Sequence, residues 1–413
     1  MAVIKPFRAL RPPQALSDKV AALPYDVMDV TEAATMAFGN PDCFLHISRP
    51  EIDLPAETDP HDESVYLMGR SNLTAFIRRG VLCLDSSECF YVYRQRMGEI
   101  IQTGLVVCAS VDDYQNGVIK KHEHTRPDKE DDRVKHIDYL DANDEPVFYI
   151  SRSCGEVEQI IEGVASGPPE YDFVSDDGVG HTLWIIADHM LIDRLTRLFA
   201  SIPNLYVADG HHRSAAAGRV RELRRCNNPN HTGQEEYNFF LTVIFPESQL
   251  NIMPYNRVVR DLNGLSAADF TAQLGSSFEI TPSPAPVIPE ARHHFSMYLD
   301  GHWYLLDARA TIVNEKNSVD RLDVSILQNS LLDPLLGIHN PRTDKRIHFV
   351  GGIRGIGELV RLVDSGDYAV AFALYPTSIG ELIELADQGQ IMPPKSTWFE
   401  PKLRSGLFVH LLS

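Results

Sequence analysis

Apolar residues recur at helical spacing over residues 62–79 and stop at Gly80, which predicts one amphipathic helix. The period then changes. Residues 89–96 and 101–111 read as the two strands of a hairpin around Met97-Gly98-Glu99. A charged helical stretch begins at Pro127 and runs to about Tyr139, with Arg126 or Thr125 as its N-cap because proline suits the first helical position. Strands are expected at 147–151, 183–187 and 237–245, and helices at 157–164 and 190–199. The polar run from Cys226 to Glu236 reads as a loop. Leu23-Pro24-Tyr25-Asp26-Val27 and Asn40-Pro41 read as loops between extended segments, and residues 166–180 as a longer loop. After a proline-dense connector at 280–289, a hairpin around Asp300-Gly301 is followed by helix 324–336, strand 346–350, helix 356–363, strand 368–374 and helix 378–388. The class is α+β, a mixed α/β chain. Residues 1–278 form an α/β domain and 279–413 a C-terminal α/β region packed on it or separate from it.

Composition narrows this picture. A chain of 413 residues that is 44% hydrophobic and 23% charged is long enough for two or three domains with ordinary cores. Its formal net charge of −19 opposes binding to nucleic acid or anionic lipid, whose affinity comes from neutralising many phosphates. A small phosphorylated ligand in a local basic pocket stays allowed, and a homo-oligomer is compatible with the sequence. The six cysteines are scattered without a Cys-x-x-Cys pair and read as buried, reduced thiols. Neither a secretory core at the start nor a bilayer-length apolar run is present, so a cytoplasmic location is expected.

The sharpest candidate chemistry lies at Asn204 to Ala217. An apolar run stops at Asp209-Gly210 and helix formers take over at once, giving a strand, a tight turn and a helix. His211, His212 and Arg213 fall in the first helical turn. There the backbone N–H groups lack intrahelical partners and the helix dipole is positive, so an anion is favoured. Gly210 lets the backbone approach a ligand, Asp209 at the cap can accept from a backbone N–H or from a substrate hydroxyl, and Arg213 offers a bidentate fork for a phosphate or carboxylate. Adjacent helical residues point about 100° apart, so His211 and His212 cannot easily share one ion, and a metal would need partners from elsewhere.

A second cluster spans Lys121 to Arg126. In an extended run, His122, His124 and Arg126 alternate onto one face as an anion cradle with two general acids. The helix after it sets Lys129, Arg133 and His136 on one stripe. The ordinary meaning of such a charge run is a solvated helix face, and that reading is kept for the acidic residues. Lys395, in Pro393-Pro394-Lys395-Ser396-Thr397, is a further phosphate candidate, although no glycine-rich lead-in makes a P-loop. His-Glu-His is not the zinc protease motif, and no Gly-x-Ser-x-Gly elbow supports an esterase.

Taken together, Leu23 to Val27, Asn40-Pro41, His122 to Thr125, Asp209 to Arg213, Met253-Pro254-Tyr255-Asn256-Arg257 and Pro393 to Thr397 resemble the pattern of the domain-of-unknown-function family DUF1015 over nearly the whole chain. Asp209-Gly210-His211-His212-Arg213 alone resembles the phosphate-binding turn of the superfamily joining sulfiredoxin, the ParB nucleotide domain and free-serine kinases. That resemblance implies a ParB/sulfiredoxin-like core and a phosphate role for Gly210, His211, His212 and Arg213. Sulfiredoxin's catalytic cysteine has no counterpart at this turn.

The expected function is a small-molecule phosphotransferase, with free L-serine as acceptor and a nucleotide or pyrophosphate as donor. Phosphoryl transfer depends on charge stabilisation and alignment, which helix starts, arginines and histidines supply. Asp209 or Asp26 would position the acceptor hydroxyl, His122 or His124 would move the proton, and Mg²⁺ would accompany the phosphates. A phosphate-sensing regulator without catalysis and a phosphohydrolase are the rivals. Catalysis at both clusters requires that they share a cleft.

Overall fold

The computed structural model describes residues 1–413 and divides into two compact units, one of residues 1–250 with 401–413 and the other of residues 251–400. The first carries a mixed sheet of nine strands: β1 (Ile4–Lys5), β2 (Phe90–Met97), β3 (Ile100–Ser110), β4 (Ile119–Lys120), β5 (Val147–Ser151), β6 (Tyr171–Val174), β7 (Gly180–Ile186), β8 (Leu205–Asp209) and β9 (Phe239–Pro246). Across the sheet they run β4-β8-β5-β9-β3-β2-β7-β6, with β1 paired to β3. The hairpin of β2 and β3 turns at Gly98, where φ is 58°.

The longest helices of this unit are α1 (Glu63–Arg78), α2 (Pro127–Leu140), α3 (Gly155–Ala165), α4 (His189–Phe199) and α5 (His211–Asn227). Asp62 and Asp188 cap α1 and α4 by accepting from the N–H groups of Ser64 and Met190, which starts each helix where its apolar period begins. Val157, Ile160 and Ile161 of α3 join Ile192, Leu195 and Phe199 of α4 in a core with Leu105, Val107 and Ala109 of β3. A smaller cluster ties Val134 and Ile137 of α2 to Ala216 and Val220 of α5.

Two register details set up the site. Strands β4 and β8 are parallel, with Leu205 opposite Ile119 and Tyr206 opposite Lys120, so the segments leaving them emerge on the same side of the sheet. Against β5, the register of β8 shifts between Val207 and Asp209, a bulge that re-aims the last residue of the strand.

The second unit holds an antiparallel sheet of six strands: β10 (Tyr255–Val259), β11 (Phe278–Ser283), β12 (His294–Leu299), β13 (His302–Ala308), β14 (Ile347–Gly351) and β15 (Val370–Leu374), in the order β11-β13-β12-β15-β10-β14. Leu359 packs on this sheet together with Val258, Tyr298 and Val350.

The mixed α/β class stands, and several local expectations change. The proline-dense stretch lies within the second unit, where its start belongs to β11 and pairs with β13, and the units part at 250/251 and 400/401 rather than near 279. Proline is tolerated there because β11 is an edge strand. The expected loop 166–180 contains β6. The expected helix 324–336 is short, Asp323–Leu327, and widens into a π turn over Gln328–Leu332. The segments flanking Asn40-Pro41 are helical, not extended, and Tyr25–Val27 is a 3-10 turn. All six cysteines are free, but Cys83 and Cys226 are exposed rather than buried. No helix is long and apolar enough to cross a membrane.

Candidate functional site

Strand β8 ends at Asp209, and Gly210 takes φ 89°, a left-handed conformation that a side chain would strain, before α5 starts at His211. No side chain caps α5, so the N–H groups of its first turn keep their anion-binding capacity. Asp209 accepts from the Gly210 N–H at 2.8 Å through Oδ1 and from Lys402 Nζ at 3.0 Å through Oδ2. Burial works against an ionised Asp209, but the Lys402 ammonium and the Arg213 guanidinium outweigh it and hold the carboxyl well below the usual range.

Arg213 is buried, and its guanidinium does not extend as a free fork. It donates to the Pro146 carbonyl, lies 3.8 Å from Asp26 Oδ2 and keeps Nε without a partner. Burial opposes its charge, while Asp26, Glu145 and Asp209 sustain it. Glu145 is itself fully enclosed. Burial pushes its carboxyl up to about 7 even with Arg213 and Arg133 nearby.

The second cluster arrives from β4. The segment bends at His122 and Glu123 instead of running extended, so the expected alternation onto one face fails. His122 turns inward with 1% exposure, whereas His124 and Arg126 are exposed. Arg126 pairs with Asp128 at 2.7 Å, and as N-cap of α2 its backbone N–H donates to His212 Nε2 at 3.1 Å. The rings of His122 and His211 meet edge to face at 4.5 Å between centroids. Thus the structure brings His122 and Arg126 against the Asp209–Arg213 turn and leaves His124 outside that contact.

Burial pushes His122 down to about 4, against a smaller pull from Val207 and Asp209. The same cause, reinforced by His122, drives His211 well below its ordinary value, and burial also lowers His212. All three imidazoles are therefore neutral at pH 7.

The remaining predicted residues disperse. The Lys121 ammonium lies 3.9 Å above the Tyr114 ring. Lys129 is half-buried on α2. Arg133 is not a surface anion site, since it is buried, bonds Asp132 at 2.8 Å and covers the Tyr25 ring at 4.0 Å. His136, on the same stripe, bonds Asp144 at 2.9 Å in the interior. Lys395 belongs to the second unit, where its ammonium lies 5.4 Å above the Tyr255 ring. Lys402 and Glu145 were not singled out from sequence. Neither lies in a motif, and Lys402 reaches Asp209 across 193 residues of chain.

Fold and turn together define a mixed α/β protein with a glycine-initiated, uncapped helix start beside a second helix start. The chain belongs to the family described as protein of unknown function (DUF1015), whose model matches residues 4–325. Among solved structures it is similar to a free serine kinase in complex with AMP, at 10% identity and TM-score 0.37, covering 73% of this chain and 91% of that one. It is also similar to SbnI with a C-terminal truncation from Staphylococcus aureus, at 12% identity and TM-score 0.39, covering 74% and 87%. A conserved hypothetical protein from Pyrococcus furiosus is similar at 12% identity and TM-score 0.35, covering 75% and 95%. No curated protein matches the sequence.

Proposed function

We propose that the protein is a small-molecule phosphotransferase that takes the phosphate chain of a nucleotide, or pyrophosphate, at the start of α5, in a ParB/sulfiredoxin-like core. The observation that carries this reading is the uncapped α5 start, opened by Gly210 and set directly against the α2 start through the Arg126 to His212 hydrogen bond. In this reading the two helix dipoles and the Arg213 charge act on the same phosphate chain, the kind of environment in which a transferring phosphoryl group is stabilised.

Asp209 is engaged by Lys402, so Asp26, whose side chain is 34% exposed, is the carboxylate open to an acceptor hydroxyl. A hard Mg²⁺ ion fits the same carboxylate, since it is bound by one or two carboxylates together with phosphates and waters. His124 is the exposed imidazole of the segment and His122 the buried one, so in this reading His124 is the proton carrier, reaching the acceptor from outside the His122–His211 contact. Free L-serine is the acceptor suggested by the Asp209–Arg213 motif, within a wider class of hydroxylated metabolites.

The test incubates the full chain with Mg²⁺, with ATP, ADP or pyrophosphate, and with a panel of hydroxylated metabolites, following phosphorus by NMR. The proposal expects a new phosphate ester with one donor and one acceptor. Tight nucleotide binding without transfer would replace it with a phosphate sensor, and phosphate release without an acceptor would replace it with a hydrolase.

A further inference from the structure

His122, Glu123 and His211 offer one ligand atom each, all within 4.8 Å of one another. Adjacent His211 and His212 could not share an ion, but the bend at His122 and Glu123 delivers the missing partners from a different strand exit. His122 is 1% and His211 7% exposed. Both ring nitrogens of His122 and Nε2 of His211 have no hydrogen-bond partner. A buried polar atom left unpaired costs about 1–3 kcal/mol, and buried polar groups are otherwise almost always satisfied. Three such nitrogens in two touching rings therefore call for something that binds them.

We propose that His122, Glu123 and His211 form a binding site for one divalent transition-metal ion, with Zn²⁺ as its reference occupant. Two imidazoles and one carboxylate are the donor set of Zn²⁺ and its first-row neighbours, while Mg²⁺ and Ca²⁺ prefer an all-oxygen shell. Metal–nitrogen and metal–oxygen bonds of about 2.0–2.2 Å bring ligand atoms closer than the present limit, so small side-chain rotations close the site.

Of the three, Glu123 also lines an open groove of about 680 Å³ together with Lys121, His124, Thr125 and Arg219. Three protein ligands leave a fourth position for water or for an oxygen of a bound ligand, as in catalytic rather than structural sites. The site stands whether or not the protein transfers phosphate, and its test needs no turnover.

The experiment treats the full chain with a chelator, removes the chelator and titrates Co²⁺ by absorption spectroscopy and Zn²⁺ by calorimetry. The expected result is one ion per chain, with the intense visible bands of four- or five-coordinate Co²⁺. The bands are expected to be lost in the His122→Ala/His211→Ala double variant and in Glu123→Gln, and kept in His302→Ala, whose histidine lies in the second unit. Circular dichroism confirms that each variant is folded, and Glu123→Gln, which keeps side-chain shape, decides the matter if the double variant is not. Only weak octahedral Co²⁺ bands, or Zn²⁺ binding unchanged in Glu123→Gln and in the double variant, would overturn the proposal.

Discussion

Lys402 Nζ stands 3.0 Å from Asp209 Oδ2, with side-chain exposures of 11% and 26%. The pair joins the strand end that precedes the Gly210 turn to the last segment of the chain, so the thirteen C-terminal residues that return to the first unit after the second also finish its site. Asp209 is thereby an anchor, holding an ammonium beside the α5 start where a phosphate charge would develop.

Removing that ammonium has a defined consequence. Lys402→Met leaves the Asp209 carboxylate largely buried with Arg213 as its remaining charge partner. Breaking a fully buried pair costs about 3–5 kcal/mol, and partial exposure of both groups reduces this to roughly 2 kcal/mol. In urea unfolding the Asp209→Asn/Lys402→Met double variant is expected to lose clearly less than the sum of the singles. Additive losses would mean the two charges are not coupled.

Gly210 separates strain from crowding. At φ 89° any side chain is strained, and a Cβ there would lie 3.1 Å from Arg213 Nε and 3.2 Å from Val147 Cγ1. Gly210→Ala should therefore cost more than the roughly 1–2 kcal/mol of left-handed strain and should also displace Arg213. Gly98→Ala, at φ 58° with nothing within 4 Å, should show the strain alone. Equal melting shifts in the two variants would contradict the crowding.

Arg213 has two duties that different substitutions divide. It holds the Pro146 carbonyl and Asp26 in the interior, and it contributes charge at the helix start. Arg213→Ala is expected to abolish nucleotide binding and turnover, measured by calorimetry and phosphorus NMR, and to lower stability as well. Arg213→Lys restores charge without the planar fork, so it should recover part of the binding and little of the geometry. Nucleotide affinity unchanged in the alanine variant would remove Arg213 from the site.

What the sequence made legible was local. The strand, glycine turn and helix at Leu205 to Asn227 follow from an apolar run broken by Asp-Gly, and Pro127 marks the start of α2 for steric reasons confined to one residue. The inward turn of His122 was not legible, because a bend against β8 depends on parallel pairing of β4 with β8, not on the alternation of side chains. The same holds for Arg133 and His136. Their helical spacing describes a stripe, and only the placement of Tyr25, Asp132 and Asp144 decides that the stripe faces inward. Lys402 carried no local signal, since its partner is supplied by the return of the chain into the first unit.

Asp323 provides a pH-dependent element in the second unit. Burial pushes its carboxyl from an ordinary 3.8 up to about 7, with the Glu381 carboxylate adding to the rise and the His293 N–H and Arg292 opposing it. The native state therefore holds a proton that the unfolded chain releases as pH climbs between these values, so stability falls over that window and levels off above it. At roughly 1.4 kcal/mol per pH unit the full effect is about 4 kcal/mol. Asp323→Asn keeps an oxygen to accept from the His293 N–H, now 2.9 Å away, and removes the titrating group. Melting temperature of the variant should change less than that of the parent between about pH 4 and 7, and should exceed it above about pH 7. Parallel curves for the two proteins across that window would show that Asp323 is ionised in the native fold.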